Sequence, residues 1–269
     1  HPIFKEMTDL FRQLRTFMEG NTSRQHAFVY DQIVPYGELL STAIVVHYLK
    51  DQGAIARWID VRDFIKTDAS YREAQVDWEA TQLAINKNLP KSSFIVAQGF
   101  IVSEVGHNFT TTLGREGSDY TAAIFGFCLN AQHVTIWKDV PGVLNADPRH
   151  FKQTNLLNQI SYREAIELAF YGASVIHPKT LQPLQRKEIP LFVKPFNDPL
   201  AAGTRVGIGP DLAPKIPCFI LKDQMVLLEL SALDFNFMME DHIGEVFKAL
   251  HRCQMKVELI QNSAISFSV

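Results

Sequence analysis

Cysteine is scarce in this chain: Cys128, Cys218 and Cys253 are three among 269 residues, and no Cys-x-x-Cys occurs. An odd, widely spaced set excludes a disulfide frame and a cysteine zinc site, and fits reduced thiols that behave as small buried hydrophobes. No apolar run approaches the ~18 residues of a membrane helix, and no secretory leader pattern opens the chain. A cytoplasmic protein with no membrane partner is expected. A basic surplus is also missing, since 26 Lys and Arg face 29 Asp and Glu for a net charge of -3, so nucleic acid is not expected as a partner. Nine histidines are scattered without metal-ligand spacing. There is no Gly-Lys-Ser/Thr of a Walker loop, no Gly-x-Gly-x-x-Gly, no internal repeat and no low-complexity tract.

What is present is an ordinary globular composition, 46% hydrophobic and 20% charged. Ile3, Met7, Leu10, Phe11, Leu14, Phe17 and Met18 recur at spacings of three and four, which predicts an amphipathic helix ending near Gly20. A second helix fits from about Gly37 to Leu49. The runs "FIVAQGFIV" (94–102), "VTIWKDV" (134–140) and "IPLFVK" (189–194) are apolar without alternation, as in strands buried on both faces of a parallel sheet. Helices are expected from Ser118, over 161–171 behind a Ser161-x-x-Glu164 capping box, and from Pro178. Strands alternating with helices make the fold class α/β. After Gly203 the stretch "GTRVGIGPDLAPKIP" reads as a linker, and a β-α-β-β run follows it. The chain opens directly into a helical pattern and stops inside an apparent strand, so both ends are expected to be cut.

Three constellations could carry chemistry. In "TTTLGREGSDYTAA" (110–123), Gly114 and Gly117 permit positive φ and close backbone approach, Ser118 is expected as the N-cap, and Arg115 adds a planar fork for a carboxylate or phosphate. Free N–H groups at a helix entrance suit an anion, although plain capping explains the same pattern. In "IWKDVPGVLNADPR" (136–149), Lys138 and Asp139 end a buried strand and Arg149 closes the turn, at the kind of strand end where ligands bind in open α/β sheets. In "YGELLST" (36–42), Glu38 sits in a first helical turn, where it favours the helix dipole whatever else it does. His177, before Pro178, reads as a structural histidine.

Those segments together with "YREAIELAFYGASVIHPKTLQPL" (162–184), in this order and spacing, strongly resemble aspartate kinase, a family with the amino acid kinase fold. The resemblance covers almost the whole chain, and implies that the segment from Cys218 onward is the first part of an ACT regulatory domain. Residues 1–206 are then an amino acid kinase catalytic domain with a mainly parallel sheet between helices, and 207–269 a linker and partial α+β ACT-like domain. The implied activity is transfer of a phosphoryl group from ATP, carried with Mg²⁺, to the β-carboxylate of L-aspartate, the first step toward lysine, threonine and methionine. Arg115 and Ser118 would hold substrate aspartate, Glu38 its ammonium, and Asp119 the transfer centre. Lys138, Asp139, Arg149 and Ser174 would contact the nucleotide, and no residue is implied as a metal ligand. The family's Lys-Phe-Gly-Gly-Thr-Ser segment, which supplies its catalytic lysine, is absent from this sequence and is expected before His1.

The chain departs from the family pattern at several positions. Ser174 replaces a common lysine and Lys138 a common threonine, while Glu116 stands where glycine is usual and Leu144 where a tyrosine often lies. Effector binding by lysine or threonine is implied near Met239 to Gly244 and Gln261 to Ala264, where Asp241 replaces a glycine and would narrow the pocket. A homodimer or higher oligomer is implied. Another amino acid kinase fold enzyme, or a non-catalytic amino-acid-sensing subunit, remain as alternatives.

Overall fold

The computed structural model describes residues 1–91, 94–173, 175–231 and 240–269. They fall into two compact units, His1–Phe219 and Ile220–Val269.

The first unit opens with α1 (Pro2–Gly20), α2 (His26–Ile33) and α3 (Pro35–Asp51). The apolar stripe of α1 packs against α3 but is only half-buried, and Phe11 and Met18 of the expected inward face are exposed. The chain continues through β1 (Arg57–Trp58), a 3-10 turn at Val61–Asp63, β2 (Lys66–Thr67), α4 (Trp78–Asn88), β3 (Ile95–Val96), β4 (Ile101–Glu104) and β5 (Thr110–Thr112). The expected single strand over 94–102 is therefore two. Gly99 and a left-handed Phe100, φ 70°, break the run, and β3 pairs with β1 while β4 pairs with β2 and β5.

After α5 (Gly117–Cys128) come β6 (Val134–Lys138), β7 (Gln159–Ile160), α6 (Tyr162–Tyr171), α7 (Pro178–Arg186), β8 (Leu191–Pro195), β9 (Thr204–Val206) and β10 (Leu212–Ala213). Ser161 caps α6 by accepting from the Glu164 N–H at 3.1 Å, as its sequence predicts, and Gly172 ends the helix with φ 121°. The five-stranded sheet runs β10-β7-β9-β8-β6, with β6/β8 and β7/β9 parallel and β8/β9 and β7/β10 antiparallel. The fold is α/β as expected, with mixed pairing. The stretch read as a linker supplies two strands of this sheet, so residues 207–219 belong to the first unit. Gly203 makes the approach possible, because a Cβ there would lie 2.1 Å from the Val193 carbonyl oxygen.

The core beneath the 36–42 and 110–123 segments is formed by Leu39, Ile59, Val61, Ile65, Ile85, Ile101, Val102, Leu113, Ile124 and Cys128, each contributing roughly 1.5–3 kcal/mol when fully buried. Cys128 is the only one of the three free cysteines that behaves as a buried hydrophobe; burial pushes its thiol up to about 11, whereas Cys218 is half-buried and Cys253 exposed. No helix among the described residues is long and apolar enough to cross a membrane.

The second unit comprises β11 (Glu229–Ser231), α8 (Glu240–Arg252), β12 (Gln261–Asn262) and β13 (Ser266–Ser268). Its three strands form an antiparallel sheet in the order β11-β13-β12. Phe267 and Leu250 are its buried anchors. Of the segments implied for an effector, Met239 lies outside the described residues, and Asp241 is exposed in the first turn of α8.

Candidate functional site

The entrance of α5 is fixed from below by β5. All three threonines of that strand are buried, and the fully buried Asp31 of α2 accepts from Thr112 N (3.0 Å), Thr112 Oγ1 (3.0 Å) and Arg72 N (2.8 Å). Burial raises the Asp31 pKa and these three donors oppose the rise. The chain then turns through Gly114, φ 77°, where a Cβ would meet Arg72 O and Glu73 Cγ at 3.0 Å. Glu116 follows in the left-handed region, φ 52° and ψ 33°, and is itself the N-cap, without a side-chain cap bond. Ser118, expected as the cap, instead lies exposed in the first helical turn. The cause is local: the left-handed residue one place earlier starts the helix at Gly117, whose missing Cβ leaves room for Phe100, 2.8 Å from where that Cβ would be. Glu116 Oε2 is buried without a hydrogen-bond partner among the described residues. His177 caps α7, its Nδ1 accepting from Lys179 N at 3.2 Å, which fits the structural reading of that residue. Burial lowers its pKa, and the Glu116 carboxylate counters.

Glu38 is tied to the same place by a polar network. It sits in the first turn of α3, where burial pushes its carboxyl above the ordinary glutamate value. Thr42 Oγ1 donates to Glu38 O at 2.8 Å and accepts from Trp58 Nε1 at 3.0 Å and Gln98 Nε2 at 2.9 Å. Gln98 is 1% exposed, and its Oε1 accepts from Val61 N at 2.9 Å. The next residue, Gly99, touches α5: a Cβ on it would lie 2.7 Å from the Cα, Cβ and Oγ of Ser118. Glu38 and Ser118 are thus held against opposite ends of one short turn.

The 136–149 segment reaches α5 through Lys138. Its Nζ stands 2.9 Å from Asp119 Oδ2, with the side chains 22% and 17% exposed. This contact is an ion pair without hydrogen-bond alignment, for Asp119 Oδ2 is buried and has no hydrogen-bond donor among the described residues. Asp139 is exposed just past β6. Arg149 is committed elsewhere, donating from its backbone N, Nε and Nη2 to the Asp147 carboxylate at 2.6–3.1 Å, which lowers the Asp147 pKa to about 2. Arg115 is exposed and makes no ion pair among the described residues. Ser174 lies outside the described residues.

Asp119 and Lys138 are therefore in direct contact, and the backbone carbonyl of Glu38 is linked through Thr42 and Gln98 to the turn that bears on Ser118, while Arg149 is turned to its own loop. Gln98, Gly99 and Phe100 were not singled out in the sequence. The signal for them was the Gln-Gly-Phe interruption inside an otherwise apolar run, which marks a backbone turn rather than a continuous strand.

A strand-end cation facing a helix entrance rich in donors is an arrangement for anionic substrates, and the family model for amino acid kinases matches residues 4–195. The chain belongs to the amino acid kinase family. Among its relatives within that family, the lysine-sensitive aspartokinase 3 of Escherichia coli K12 is 36% identical over 270 residues, covering 99% of this chain and 60% of that protein. Two solved structures of E. coli aspartokinase III are similar over 99% of this chain and 60% of theirs. One, in complex with lysine and aspartate, has a TM-score of 0.78 at 33% identity; the other, in complex with aspartate and ADP, has 0.75 at 34%. This amino acid kinase chain thus spans about 60% of the length of the E. coli aspartokinase it matches.

Proposed function

We propose that the protein acts as an aspartate kinase, converting L-aspartate and ATP to 4-phospho-L-aspartate and ADP. The observation that carries the reading is the Lys138–Asp119 pair, which joins the strand end assigned to nucleotide to the helix turn assigned to amino acid. Likeness to aspartokinases, one of them holding aspartate and ADP, supports it.

An amino acid with two carboxylates and an ammonium needs one cationic fork, one anion and free donors. Arg115 takes the α-carboxylate, Glu38 the ammonium, and Ser118 with the first N–H groups of α5 the remaining oxygens. On the other side, Lys138, Asp139, Ser174 and Arg149 contact the nucleotide, Arg149 exchanging Asp147 for phosphate. Reaction is in-line displacement at the γ-phosphorus, driven by positioning and charge neutralisation, and no protein nucleophile is required. Mg²⁺ accompanies the phosphates. Among the described residues no cluster of three or more His, Cys, Asp or Glu could cage an ion, and the oxygen donors of Asp119 and Asp139 are of the type Mg²⁺ takes alongside phosphate.

The second unit is assigned to a partial ACT-like regulatory domain that responds to lysine or threonine and contributes to a homodimer or higher oligomer. The activity is tested on the full-length protein with a coupled ADP assay: release that depends on both ATP and L-aspartate is expected. Turnover with N-acetylglutamate or glutamate in place of aspartate, or none with any amino acid, contradicts the reading.

A further inference from the structure

Lys138 belongs by sequence to the segment assigned to nucleotide, yet its ammonium rests on the helix turn assigned to the amino acid. The contact is electrostatic, since the alignment of a charge-assisted hydrogen bond is missing although the oxygen is enclosed. An ammonium held this way gives up no directed bond when it moves, but it leaves an enclosed carboxylate behind, so only a stronger anion beside it draws it away. Arg149 is the contrast, with several directed bonds to one carboxylate on the surface. Arg115 is exposed at the substrate side. Lys138 is therefore the cation that stands at the junction of the two half-sites, four-fifths enclosed, with a partner it can leave.

We propose that Lys138, beyond contacting the nucleotide, is a catalytic residue of the phosphoryl transfer: its ammonium leaves Asp119 and bridges the oxygens of the migrating phosphoryl group. The inference rests on the kinase reading above. The substrate carboxylate oxygen forms a bond to the γ-phosphorus. The bond from that phosphorus to the oxygen bridging the β-phosphate breaks, and ADP departs with the electron pair. Lys138 gains and loses no proton. It supplies positive charge where two anions converge, most strongly when the phosphoryl group lies between them, so its effect falls on kcat. Asp119 is a parking place that keeps the ammonium at the junction before substrates arrive.

The test compares wild type with Lys138→Met and Lys138→Arg in the full-length protein, with thermal melting to verify folding. Loss of one preorganised charge at the reacting group predicts a kcat about 100-fold to 1000-fold lower in Lys138→Met. The KM for ATP should change less than about 5-fold, and Lys138→Arg, which keeps the charge, should recover part of the rate. Should Lys138→Met fail to fold, Lys138→Arg still decides: as a charge carrier of different shape it must lower kcat while leaving the KM for ATP within the same bound. A kcat near wild type, or a loss confined to the KM for ATP, overturns the proposal while leaving the kinase reading intact. Absence of aspartate-dependent turnover in wild type removes that reading, and the proposal with it.

Discussion

Gly99 lies so close to Ser118 that a methyl group at 99 would come within 2.7 Å of the serine Oγ. The backbone of the turn after β3 is thus the wall against which the first turn of α5 rests. Gly99→Ala must push one of them away. A loss of about 1–3 kcal/mol in stability is expected from overpacking, together with a raised KM for aspartate. Denaturant unfolding and steady-state kinetics check it; an alanine variant that melts and turns over like wild type contradicts the contact.

Arg115 is exposed and unpaired among the described residues, so its removal leaves no buried partner stranded. Arg115→Ala should therefore leave stability nearly unchanged while raising the KM for aspartate by about 10-fold to 100-fold, the value of a charge-assisted fork. The KM for ATP should change far less. Equal effects on both substrates would remove Arg115 from the amino-acid side.

Glu38 carries a pH dependence. Burial holds its folded pKa above the ordinary 4.5. The folded chain binds more protons at this site than the unfolded chain, so its contribution to stability is full below 4.5 and is lost as pH rises through the folded value. Activity has the opposite sign, because only the carboxylate meets the substrate ammonium. The acid limb of kcat/KM for aspartate should rise with pH through a value above 4.5, and Glu38→Gln should abolish that limb. An identical limb in the variant assigns it to another group.

Glu116 occupies a left-handed backbone position that costs a non-glycine residue about 1–2 kcal/mol. Glu116→Gly relieves this at an entropic cost of roughly 0.5–1 kcal/mol. A net change between zero and about 1.5 kcal/mol of stabilisation is expected in urea titration, and clear destabilisation would show that the carboxylate has a partner in the folded chain.

Much of the architecture could be read before the structure. Ser161 with Glu164 announced α6, Pro178 began α7, and the 3.6-residue stripe outlined α1, because each signal is local. The misreadings have causes that composition and motif do not carry. Residues 203–217 look like a linker by composition, but Gly203 lets β9 press against β8, and β10 pairs with β7. Ser118 has the chemistry of a cap, yet a left-handed Glu116 starts the helix before it. The Gln-Gly-Phe interruption at 98–100 marks a turn, but not that Phe100 takes a positive φ with its ring over the missing Cβ of Gly117. The chemistry of Glu38, Asp119 and Lys138 is legible in the sequence, and the structure brings the last two into contact. The site was not legible at Gln98, whose role exists only through partners at 42 and 61.

The hydroxyl of Thr42 donates once and accepts twice, so it has no unused capacity. It is a three-way joint between α3, β1 and the end of β3. Anyone reshaping substrate preference at Glu38 inherits this joint as the reference frame of the design. Changes at 38 alone move a functional group on a fixed mount, whereas changes at 42, 58 or 98 move the mount, and with it the whole calibration of the amino-acid side against the phosphate side.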